Sequence, residues 1–332
     1  MKTMDFFGIA IVICLMGISC QKQSDQPVVL KTGFQTTTVP HGTSTLNVAV
    51  WYPTLQPELP YTYNRASSGL DVTGSVAKNA TVASGSWPLL IFSHGFSGGA
   101  VGSVEICEAL ARAGYVVAAP DHSDAVLTVR ITGQASGTLQ EALTYLNDHP
   151  FADGSSYLYR IAEIQQVIAS LKQRTDFNLD LSKITYAGHS MGAWTVMKAM
   201  AAGPRPKAMF VYSMGELNWL FQGQRYFESN FFQQMDFPTA YFYGAQELDE
   251  AVKANRGNVY AAFAFTFSPS PSYGFIVPQG NHFTYNSYAV APGAFGQPSQ
   301  LESILGKTIS FLDKHVKNKT TTLVLEAGDV LK

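Results

Sequence analysis

Two short unbroken apolar runs, Leu89-Leu90-Ile91-Phe92 and Tyr115-Val116-Val117-Ala118-Ala119, constrain the fold more than anything else in this chain. Neither alternates as a half-exposed strand does, so each reads as a strand covered on both faces. Similar segments predict strands at Thr45–Trp51, Leu89–Ser93, Tyr115–Pro120, Lys183–Ala187, Ala208–Ser213, Thr239–Tyr243 and Tyr273–Val277. Helical spacing predicts helices at Val104–Ala113, Tyr159–Gln173, Ala193–Ala202 and Gln300–Lys317. Strand and helix in alternation specify an α/β fold with a mostly parallel central sheet and helices on both faces. One domain over residues 31–320 is expected, with a tether at 21–30 and a tail at 321–332. Two stretches break the rhythm, His122–Gly154 and the aromatic-rich Gly215–Met235; each follows a strand and reads as a lid-like insertion or as local core.

The first twenty residues read as addressing information. Lys2 precedes an apolar run from Phe6 to Ile18, too short for the roughly 20 residues of a bilayer span. Gly17-Ile18-Ser19-Cys20 ends it with small residues before a cysteine, and this layout resembles the lipobox of bacterial lipoproteins. The resemblance implies acylation of Cys20, a lipid anchor in the membrane, and residence in the cell envelope, at the outer membrane or cell surface. Plain secretion is the alternative; Gly17 stands where a leucine is usual. With Cys14 removed and Cys20 acylated, Cys107 has no disulfide partner and reads as a small buried hydrophobe. Lys and Arg number 22 against 24 Asp and Glu, so no basic surplus exists to hold a polyanion, and nucleic acid is not an expected partner.

Gly188-His189-Ser190-Met191-Gly192 lies between a predicted strand and a predicted helix, the context in which G-x-S-x-G lifts a serine clear of a sheet. A second match, Gly95-Phe96-Ser97-Gly98-Gly99, is followed by glycines too flexible to open a helix at once, so no strained elbow is expected there. That loop instead supplies a backbone donor, and Phe96 N–H with Met191 N–H is the expected oxyanion hole. Among seven histidines, His282 follows a late strand at its carboxyl end and is the expected base. Its orienting carboxylate belongs between Ser190 and His282. Asp249, just after Thr239–Tyr243, is preferred, with Glu247 next and Glu216 after it.

These segments resemble the α/β-hydrolase superfamily, most closely the platelet-activating-factor acetylhydrolase and dienelactone-hydrolase-like group that borders bacterial polyester hydrolases. The resemblance runs from Pro88 to Phe283 and is densest in Phe92–Gly98, Gly114–His122 and the Ser190 turn. Ala193 replaces a glycine common after the elbow, and the acid loop is one residue longer than the shortest family pattern. The resemblance implies an α/β-hydrolase fold and hydrolysis of a small-molecule or polymeric carboxylic ester through an acyl-enzyme, without metal or organic cofactor. A peptidase or acylaminoacyl hydrolase on the same scaffold, and a surface-anchored binding protein without turnover, are the rival readings.

Overall fold

The computed structural model describes residues 28–64, 71–125, 144, 148, 157–215, 227–253, 258–287 and 297–332. The leader with Cys20, Glu216 and most of the two insertions lie outside these residues. Among the described residues eleven strands form one sheet. β1 (Lys31–His41), β2 (Ser44–Thr54), β3 (Leu59–Asn64) and β4 (Val72–Lys78) make one wing, and β5 (Trp87–Ser93), β6 (Val116–Pro120), β7 (Leu179–His189), β8 (Ala208–Tyr212), β9 (Thr239–Gly244) and β10 (Ser272–Val277) make the centre. β11 (Val330–Leu331) closes the far edge, in the order β11-β10-β9-β8-β7-β5-β6-β2-β1-β4-β3. The six central strands are parallel, while β2 runs antiparallel to both β6 and β1.

Every residue of β6, β8 and β9 is buried, as their unbroken apolar character requires. α1 (Val104–Arg112) and a long helix near the carboxyl terminus, Pro298–His315, cover one face with Val104, Leu110, Ile304 and Phe311. The other face is covered by α2 (Tyr159–Lys172) and α3 (Met191–Ala202) through Ile164, Val167, Trp194 and Met197. Short helices α4 (Ser229–Phe232), α5 (Ala245–Lys253) and α6 (Tyr260–Phe267) follow β8 and β9, which makes the long terminal helix α7.

Three features depart from the sequence reading. β1, β3 and β4 belong to no predicted strand; β1 is held by an eleven-residue antiparallel register with β2 across a turn with Gly42 at φ 57°. The segment 245–253, expected as a loop, is helical. The stretch 321–332, expected as a tail, joins the sheet: β11 pairs with β10, and Asp329 accepts from the Ile276 N–H at 2.9 Å and from the buried Lys307 ammonium at 3.0 Å. Among the described residues no helix is long and apolar enough to cross a membrane.

Candidate active site

β7 runs directly into α3, and the turn between them leaves one residue, Ser190, at φ 56° and ψ −122°. Both motif glycines are required by close approach rather than by dihedral angle. A Cβ on Gly192 would lie 1.9 Å from the Ser93 carbonyl oxygen, and one on Gly188 would lie 2.3 Å from that of Gly192. Ser190 Oγ donates to His282 Nε2 at 2.9 Å. His282 sits in the loop after β10, shaped by an Asx turn in which Asn281 Oδ1 accepts from the Phe283 N–H.

The carboxylate beside the imidazole is Glu247. Its Oε2 lies 3.2 Å from His282 Nδ1, and its side chain is nearly out of solvent. Asp249, the preferred residue on sequence grounds, is exposed, and the expectation for it is corrected here. The reason is the helix. At about 100° per residue, positions 247 and 249 are some 200° apart around α5, so only one can face the sheet. Glu247 shares the inward stripe with Ala251, which is fully buried, and Asp249 points away.

Sequence pattern alone makes Ser213 the last residue of a strand. It lies just beyond β8, fully buried, at φ 44°. Its hydroxyl donates to Glu247 Oε2 and lies 2.5 Å from His282 Nδ1, so it sits between acid and imidazole. Its place at the carboxyl end of a parallel strand was the available signal. His189, inside the motif, is buried and donates from Nε2 to the His282 carbonyl oxygen at 2.7 Å. Burial, with the neighbouring His282 ring, drives its pKa down to about 3, so the ring is a neutral donor near pH 7.

The Gly95 loop passes against the nucleophile. A Cβ on Gly95 would lie 3.2 Å from Ser190 Cβ, so the loop that carries Phe96 packs against the Ser190 turn. Met191 is the first residue of α3, where backbone N–H groups have no partner within the helix. Ser97 has the backbone φ of the elbow serine without the elbow. It shares a φ of 56° with Ser190, but no helix opens behind it: the chain stays in turns until α1 begins at Val104, so the strand-turn-helix elbow is confined to Ser190. The surroundings differ as well: Ser97 is buried, and its Oγ has no hydrogen-bond partner among the described residues. His122, the other histidine at a strand end, is committed elsewhere; it contacts Glu163 at 2.6 Å and Ser93 Oγ at 2.8 Å.

Residues 64–166 match the family model described as platelet-activating factor acetylhydrolase, isoform II. No curated protein sequence matches the chain. Among solved structures, ferulic acid esterase from Streptomyces cinnamoneus is similar with a TM-score of 0.64 at 18% identity, over 92% of this chain and 97% of that one. Dienelactone hydrolase from Anabaena variabilis gives 0.52 at 15% identity, over 86% and 99%. A dienelactone hydrolase-like promiscuous phosphotriesterase from metagenomic libraries gives 0.56 at 14% identity, over 86% and 99%. The molecule has the α/β-hydrolase fold.

Proposed function

We propose that this chain, an α/β-hydrolase-fold protein, hydrolyses carboxylic esters with Ser190 as nucleophile, His282 as base and Glu247 as the orienting acid. The observation that carries this reading is one chain of contacts: Ser190 Oγ on His282 Nε2 at 2.9 Å, with Glu247 and Ser213 on the opposite nitrogen. The match to an acetylhydrolase family model supports the ester class.

In the proposed reaction Ser190 Oγ attacks the ester carbonyl carbon while its proton passes to His282 Nε2. The carbonyl oxygen takes the electron pair and accepts from Met191 N–H and Phe96 N–H. As the intermediate collapses, the His282 proton goes to the departing alkoxide and leaves an acyl-Ser190. A water, deprotonated by His282, then releases the acid. Glu247 stabilises the imidazolium in both halves, and Ser213 fixes the Nδ1–H direction.

The test is Ser190→Ala assayed on p-nitrophenyl esters of increasing acyl length, beside fluorophosphonate labelling of the wild type. Loss of kcat on the order of 10⁶-fold and loss of labelling are expected; retained turnover, or labelling elsewhere, refutes the reading. Anchoring is proposed from the Cys20 layout. Metabolic palmitate labelling that disappears in Cys20→Ser supports it, and an unlabelled soluble product points to plain secretion.

A further inference from the structure

A cluster of charged and polar side chains lies beneath the Gly95 loop, outside the nucleophile, base and acid. Arg160 of α2 is fully buried and uses its whole fork. Nε donates to Asp124 Oδ1 at 2.8 Å and Nη2 to Asp124 Oδ2 at 2.6 Å, a bidentate pair. The same guanidinium donates to two consecutive backbone carbonyls, Nη1 to His94 at 2.9 Å and Nη2 to Gly95 at 3.1 Å. Asp124 in turn accepts the Ser97 N–H at 3.1 Å. One ion pair therefore grips the chain on both sides of Phe96.

Peptide geometry gives this grip a direction. The Gly95 carbonyl and the Phe96 N–H belong to one planar trans peptide and point opposite ways. Drawing that carbonyl toward Arg160 aims the Phe96 N–H away from it. A second donor reinforces the hold. His94 Nε2 accepts the His122 N–H at 3.1 Å, so the ring proton sits on Nδ1, which donates to the Gly95 carbonyl at 2.6 Å. A carbonyl that accepts from a guanidinium and an imidazole polarises its peptide and strengthens the N–H as a donor.

We propose that Arg160, Asp124 and His94 form a positioning clamp that sets the Phe96 N–H for the oxyanion, a device that rests on the ester-hydrolase reading above. A buried ion pair is weak evidence for stability, because desolvation offsets most of its attraction. Its placement on three peptide groups of one loop is what points to positioning. The chemistry of the clamp is then felt in the tetrahedral intermediate and not in the bound ester.

Arg160→Lys keeps the charge and loses the fork; Asp124→Asn keeps the shape and loses the charge. Both are measured per active site by fluorophosphonate titration, with a boronic acid as a tetrahedral-adduct probe. The expected result is kcat lowered about 10- to 100-fold with KM within about threefold, and boronate affinity falling in parallel with kcat/KM. Glu108→Gln is the control, because Glu108 is a buried partner of Tyr63 and Arg112 on the α1 side; it lowers stability and leaves kcat per titrated site unchanged. The clamp is overturned if Arg160→Lys and Asp124→Asn keep kcat and boronate affinity within about twofold while the melting temperature falls, or if neither yields titratable protein. A wild type that fluorophosphonate does not label at Ser190 instead refutes the ester-hydrolase reading itself.

Discussion

Replacing Glu247 by glutamine removes one charge and almost no volume, which isolates electrostatics. In the proposed reaction His282 becomes cationic as Ser190 attacks, and Glu247 Oε2 lies 3.2 Å from Nδ1. With an effective dielectric of about 20, a unit pair at that distance interacts by about 5 kcal/mol. At 1.36 kcal/mol per decade, losing it slows the chemical step about 10³- to 10⁴-fold. Ser213 Oγ, set between the two, still contacts Nδ1 at 2.5 Å, so the ring keeps its place and KM should barely move. The assay is steady-state hydrolysis of p-nitrophenyl butyrate by Glu247→Gln and Asp249→Asn, each normalised to folded protein by circular dichroism. Asp249 is exposed on the outer side of α5, and its amide should retain activity within about twofold. If Asp249→Asn is the crippled variant, or Glu247→Gln keeps more than about a tenth of wild-type kcat, the assignment drawn from helix geometry is wrong.

Ser213→Gly suits the left-handed backbone at φ 44° and removes only the hydroxyl; kcat should fall about 10- to 100-fold with little change in melting temperature. Stability should drop in mild acid. His189 has a folded pKa near 3 against an ordinary 6.5, so the unfolded chain binds a proton that the native state refuses, and its contribution is lost as pH falls from 6.5 toward 3. Burial lowers His94 and His122 as well, in each case aided by Arg160. All three rings act in the same direction, so denaturant-measured stability falls as pH drops below 6.5. Burial raises Glu108, which acts in the opposite sense close to its own range, so the slope is best read between about pH 5.5 and 6.5, and a flat profile there contradicts the buried-ring account. Asp329→Ala strips the buried Lys307 ammonium of one partner and the Ile276 N–H of its acceptor; guanidinium unfolding should report a loss of about 3 kcal/mol with unchanged turnover per titrated site.

What was legible in the sequence was what short-range pattern encodes. Strands β5, β6, β8 and β9 are unbroken apolar runs because helices cover both faces, and the Ser190 turn is set by two glycines whose missing Cβ atoms leave room for neighbouring backbone. β1 escaped because its threonine-rich run, Thr36-Thr37-Thr38, carries too little apolar alternation; pairing with β2 supplies what pattern did not. Sequence alone ranks Asp249 above Glu247 because the segment after β9 reads as a loop, where any of three carboxylates can turn inward. As a helix, it offers a single inward stripe. Arg160 and Asp124 lie 36 positions apart and join only when β6 and α2 pack, so no local motif announces them. At Ser97 the glycines that follow keep the chain in turns until Val104, so a positive φ there is not followed by a helix as it is at Ser190.

The His189 ring, bonded to the carbonyl of His282, yokes two turns that come from opposite ends of the catalytic order. Hydroxyl and imidazole are thereby tied through the backbone of their own turns as well as by the contact between them. Engineering that swaps the 278–284 turn for a longer graft to widen the mouth would cut that yoke and let the pair drift. Diversity placed on the outward side of α5 would leave it whole.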